Sequence, residues 1–178
     1  MKSNTSTTFK VAKSQTVLGI TWGVMILLGL GILPLFSLSA NHPETRIVTI
    51  PAVLISFGVM FYYYLLSPRY VTVTSEAVVL RTVKGRKAFR FDEIVDADAW
   101  KDSHYKLFRT CGDGGLFGFI GWFTCPGLGR HFEYIGRYDQ AFYIHLRSGR
   151  TYLLSCEGRD EVVRHIKRMK NEEYGIRH

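Results

Sequence analysis

Acidic side chains are almost absent from the first 68 residues of this 178-residue chain, where Glu44 stands alone, and from Ser14 to Pro43 there is no charge of either sign. A water-facing surface cannot be drawn over such a stretch. Cysteine is scarce too: Cys111, Cys125 and Cys156 are an odd number without regular spacing, which excludes a disulfide framework and fits free thiols in a reducing cytosol. C-x-x-C and H-x-x-x-H pairs are missing, so Cys111, Cys125, His104 and His131 do not read as a metal site. No Gly-Lys-Ser/Thr follows the glycine-rich stretch near residue 115. Gly112, Gly114 and Gly118 are one residue too widely spaced for G-x-G-x-x-G, and no βαβ unit surrounds them, which excludes a phosphate cradle. Cys125 and His131 have no orienting group or oxyanion hole marked beside them, so the sequence predicts no enzyme and no cofactor.

What is present is apolar: 47% hydrophobic residues against 21% charged ones place part of the chain in lipid. Val17 to Leu38 is long enough to cross a hydrocarbon layer of about 30 Å, and a second uncharged run, Ile47 to Pro68, ends in the Tyr62, Tyr63, Tyr64 cluster that suits the headgroup level. The first run is too long for a cleaved signal, and a second span follows it after a tight turn. The organisation predicted is a disordered tail over 1–13, a transmembrane helical hairpin over 14–68 with spans at about 15–39 and 47–67, and a domain over 69–178. Lys2, Lys10 and Lys13 precede the hairpin, and Arg69, Arg81, Lys84, Arg86 and Lys87 follow it. Both termini are therefore expected in the cytoplasm, the hairpin crossing the inner (cytoplasmic) membrane. Gly19 and Gly23 form a small-xxx-small pair in the first span, and Pro34 marks a kink.

After Pro68 the period changes from helical to two. Strands are expected at about 70–74, 78–83, 88–91, 95–101, 132–135, 140–147 and 150–155, forming an antiparallel meander. In the sixth, Phe142, Ile144 and Leu146 share a core face and leave Tyr143, His145 and Arg147 wet. From Gly158 to Lys170, Val162, Val163, Ile166 and Met169 recur at helical spacing, predicting a C-terminal helix that plugs one end of the sheets.

The most unusual stretch is Cys111 to Phe123, CGDGGLFGFIGWF. Gly112, Gly114, Gly115, Gly118 and Gly121 give it a pliable backbone on which Leu116, Phe117, Phe119, Trp122 and Phe123 are carried. It reads as a loop presenting rings to lipid, to the hairpin or to another subunit. Taken with Tyr70-Val71-Thr72-Val73, Phe89-x-Phe91-x-x-Ile94, Arg109 and the Ser155 to Ile166 tail, this segment resembles the bacterial membrane-anchored PH (pleckstrin homology)-like domain family with two N-terminal transmembrane helices. The resemblance implies a membrane-anchored α+β protein: the hairpin, then a PH-like antiparallel seven-stranded β-barrel or sandwich with one C-terminal helix. It implies no established ligand or reaction.

Lys84, Arg86, Lys87 and Arg90 form a basic turn and strand, which near a bilayer gains about 1 kcal/mol per cation from anionic headgroups. The comparable basic motif of eukaryotic PH domains lies between their first two strands and here follows the second, so inositol-phosphate recognition is not expected. Asp92, Glu93, Asp96, Asp98 and Asp102 read as a solvated face, the functional alternative being a docking patch for a basic partner. The net charge of +8 is spread out, so nucleic acid is not expected as a partner. The expected function is a membrane-tethered interaction or scaffold module whose partners are the lipid bilayer and proteins, a second copy included. The alternatives are a homo-oligomeric structural membrane protein or an accessory subunit of a membrane complex.

Overall fold

The structure is a computed structural model describing residues 6–101 and 108–175, with side chains as far as Asn171. Helix α1, Gln15–Asn41, starts where Ser14 Oγ accepts from the Val17 amide at 3.2 Å. It ends before Pro43, which begins the one-turn helix Pro43–Thr45. Helix α2 is Arg46–Leu66, and Pro68 follows closely because it has no amide to continue the ladder. Both helices are long and apolar enough to cross a membrane.

The segment read as a disordered tail is in part a strand. β1, Thr7–Lys10, pairs antiparallel with β2, Pro68–Val73, from Thr7↔Val73 to Lys10↔Tyr70. Thr8 and Thr72 hydroxyls meet at 3.1 Å across 64 residues of sequence, and Phe9 packs on the core. Four β-compatible residues among Ser, Thr and Lys are too few to show alternation, and their partner lies on the far side of the hairpin. Residues 1–5 lie outside the described residues. The whole hairpin is thus an insertion between two neighbouring strands of one sheet.

That sheet continues with β3, Ala77–Thr82, and β4, Arg86–Arg90, in the order β1-β2-β3-β4. The second sheet holds β5 (Ile94–Ala99), β6 (Phe108–Gly114), β7 (Phe119–Cys125), β8 (Gly129–Ile135), β9 (Ala141–Leu146) and β10 (Thr151–Ser155), ordered β5-β9-β10-β8-β7-β6. Each of the seven expected strands has a counterpart. β1, β6 and β7 are additional, and the two sheets do not close as a barrel. The ladder is also not wholly antiparallel: β8 crosses through the turn Tyr138–Gln140 to β9, and β10 folds back between them, parallel to β8.

Val71, Val73, Val78, Leu80 and Phe89 face Phe142, Ile144, Tyr152 and Leu154 across the interior. Full burial stabilises each large apolar side chain by about 1.5–3 kcal/mol relative to exposure. Helix α3, Arg159–Gly175, closes this core with Val162, Val163 and Ile166. The opposite face of the second sheet was expected to be wet, with Tyr143, His145 and Arg147 on it; Arg147 is exposed and Tyr143 and His145 are half-buried, but part of that face is a second core. Ile135, Ala141 and Leu153 are fully buried there, with Trp100, Phe119, Leu128, Tyr138 and Tyr143 packed around them.

Candidate functional site

Because α1 leaves from β1 and α2 returns to β2, the β1–β2 register brings the two helix ends together. Val11 N–H donates to the Arg69 carbonyl at 2.9 Å, extending the ladder to the roots of both helices. Ser14 N–H donates to Gly136 O at 2.9 Å, Val83 N–H to Ser67 O at 3.3 Å and Lys84 N–H to Leu65 O at 2.7 Å. The hairpin root is therefore bonded to both sheets, not merely tethered.

The Gly-aromatic segment, read as a loop, is mostly a β-hairpin, β6 and β7, joined by residues 115–118. Gly112 pairs with Gly121, and a Cβ on Gly121 would lie 2.3 Å from the Cys111 carbonyl, at φ +146. Only glycine lets the two backbones approach so closely there. Gly115 lies under the Ile20 side chain of α1, Gly118 against the Ile135 carbonyl, and Gly114 beneath the Arg109 guanidinium. The connection docks on the hairpin root. Thr21 Oγ1 lies 2.7 Å from both the Val17 and Leu116 carbonyls and donates to one at a time, while Ser67 Oγ donates to Phe117 O at 3.0 Å. Asp113 shapes the turn by accepting from Leu116 N–H at 2.9 Å and Phe117 N–H at 3.3 Å, and burial pushes its carboxyl upward.

The rings do not project freely. Phe117 is buried, edge-on to Tyr64 at 5.5 Å, with the Lys13 ammonium 5.5 Å from its centroid. Phe119 is half-buried against Tyr138, and Trp122, also half-buried, meets Phe132 edge-on with Arg130 over its ring. Phe123 is buried and Leu116 half-buried.

The structure divides the basic cluster. Lys84 and Arg86 are exposed beside the hairpin root, held there by the Lys84–Leu65 backbone bond. Lys87 turns inward: its Nζ donates to Tyr152 Oη at 2.9 Å and lies 4.0 Å from that ring's centroid. Arg90 is opposite Ala77 at the far end of β4, about 13 Å along the strand from Arg86. It forks onto Asp92 at 3.0 and 3.2 Å, and this bond holds the Asp92 carboxyl below its usual range. Of the acidic stretch, Asp96 accepts from Tyr143 Oη and Asp98 pairs with Lys167; Asp102 lies outside the described residues.

Cys125 and His131 sit near each other's ladder positions on β7 and β8. His131 is wholly buried, its Nδ1 2.9 Å from Gly129 O and its Nε2 2.8 Å from Glu133 Oε1. A carbonyl only accepts, so Nδ1 carries a hydrogen. Tyr138 Oη donates to the other Glu133 oxygen at 2.7 Å, and burial beside that carboxyl pushes the phenol well upward. Both ring nitrogens are engaged, leaving none to activate a thiol. His104 lies outside the described residues, and among those described no three His, Cys, Asp or Glu side chains group as metal ligands.

Sequence reasoning missed Lys13, Arg69, Thr21 and Ser67 at the root, and the buried His131–Glu133–Tyr138 chain. The first four gain meaning only from the β1–β2 register. The H-x-E alternation within β8 was the available signal for the buried pair.

Two packed, unclosed sheets with a C-terminal helix against the core are the architecture of a PH-like module. The chain belongs to the bacterial PH domain family, which it matches over residues 69–170, more than half its length. No curated protein and no solved structure matches it.

Proposed function

We propose that this protein is a membrane-tethered, non-catalytic PH-like module that the α1–α2 hairpin holds against the cytoplasmic face of the inner membrane, where it recruits protein partners. The observation that carries the reading is the insertion of two apolar helices between adjacent strands, with both roots hydrogen-bonded to the sheets. A domain fixed in this way presents one end to the bilayer, and Lys84 and Arg86 lie at that end for anionic headgroups. The edge strand β6, with Phe108 exposed, is the surface offered to a protein partner.

The test uses the exposed Cys111 of the full chain. The protein should resist carbonate extraction from membranes, and a membrane-impermeant maleimide should label Cys111 in inverted vesicles and not in intact spheroplasts. Carbonate-soluble protein, or labelling from outside, would refute the reading. A second reading, assembly through the helices, is favoured by Gly19 and Gly23, which have nothing within 4 Å of a built Cβ. Crosslinking in native membranes that yields only monomer argues against it.

A further inference from the structure

The β1–β2 register that joins the helix roots also brings two cations together. With Lys10 opposite Tyr70 and the Val11 amide on the Arg69 carbonyl, Lys13 falls diagonally beside Arg69, where the chain turns into α1 and returns from α2. Both side chains are half-buried. Lys13 lies over Phe117, Arg69 lies 5.5 Å from the Tyr64 centroid and reaches its hydroxyl at 3.3 Å, and the two rings meet edge-on between them. The rings hold the cations in place without neutralising them.

No ion pair among the described residues uses either one; Asp113, the one carboxylate of the Gly-aromatic segment, is committed to backbone amides. Burial, and then the Arg69 charge, lower the Lys13 ammonium from its ordinary value, as expected of like charges held close without a counter-ion. Like charges held close repel each other, and an anion between them relieves that repulsion.

We propose that Lys13 and Arg69 form a seat for the phosphate of an anionic phospholipid at the hairpin root. This rests on the membrane reading above. At a helix root the abundant anion is a headgroup phosphate, and the Tyr64 ring, braced by buried Phe117, supplies the amphipathic wall found at headgroup depth. The seat differs from the Lys84–Arg86 turn: it lies where both helices join the domain and holds one lipid, where the turn meets the leaflet at large.

The experiment counts lipids retained by the full-length protein in mild detergent, by native mass spectrometry, with phosphatidylglycerol or phosphatidylcholine added. Wild type should retain phosphatidylglycerol in preference. Lys13→Gln and Arg69→Gln should each weaken that retention on the order of fivefold. Lys13→Arg, which keeps the charge, should weaken it less than Lys13→Gln does, and the distal Arg90→Gln should leave it unchanged. Equal retention of the two lipids by wild type, a comparison needing no variant, overturns the seat, as does undiminished retention by the Lys13→Gln/Arg69→Gln protein. Displacement of the lipid by millimolar inorganic phosphate would show a free-anion site and overturn the lipid assignment. Carbonate-resistant protein without lipid preference removes the seat alone, whereas carbonate-soluble protein removes the membrane reading beneath it.

Discussion

In the β domain Leu80, Phe142 and Leu153 are wholly buried, whereas Leu27, Phe36 and Ile47 on the helical hairpin keep 72%, 76% and 80% of their surface. The residue types are alike and the environments opposite. In the domain, apolar side chains gain by leaving water, so they turn inward from two sheets and a helix. On the hairpin, beyond its docked root, most of them face outward along both helices, which suits an apolar solvent in which inward packing brings no hydrophobic gain. Glycine divides in the same way: Gly112 and Gly121 are pressed against backbone, while Gly19 and Gly23 meet nothing.

The largest contrast expected is between truncations. Phe142→Ala should cost about 4 kcal/mol in denaturant unfolding of the detergent-solubilised protein, and Leu27→Ala under about 0.5 kcal/mol. Equal costs would mean the hairpin is packed like a core. Next, Glu133→Ala leaves His131 buried beside Tyr138 without its carboxyl and should cost about 3 kcal/mol, read as a lower melting temperature. A cost under about 1 kcal/mol would show that water or a neighbour replaces the pair.

Smaller again is Gly121→Ala, expected to cost about 2 kcal/mol because its Cβ meets the Cys111 carbonyl, against Gly19→Ala, which should be neutral or slightly stabilising in an open helical position. Equal behaviour of the two would dissolve the glycine contrast. The smallest effect is chemical and leaves the fold intact. Cys111, exposed on β6, should alkylate at neutral pH, while Cys125 and Cys156 stay protected, the Cys156 thiol being pushed up to about 12 by burial. Labelling of Cys156 as fast as Cys111 would show that the sandwich opens in solution.

Much of this architecture was legible in the sequence because its signals are local. Val17 to Leu38 needs no partner to read as a helix for an apolar solvent, and the alternation of Phe142, Ile144 and Leu146 needs none to read as a strand. The most specific part of the family resemblance was a contiguous Gly-aromatic stretch. What the sequence concealed depends on pairing at a distance. Thr7 to Lys10 becomes a strand only because β2 lies beside it. The Gly-aromatic stretch becomes a hairpin because Gly112 and Gly121 come opposite each other, where sequence order alone suggested an open loop. The basic cluster read as one patch, yet strand direction carries Arg90 to the far end and the Tyr152 ring draws Lys87 inward.

The sequence by itself determined the division into an apolar hairpin and a β domain with a C-terminal helix, because composition and period report what each segment can bury. Only the tertiary structure decided that the hairpin interrupts a single pair of strands, and so that the chain around Lys13 and the chain around Arg69 come together at its root. Register is set by the summed packing and hydrogen bonding of both strands, and no single segment encodes that sum.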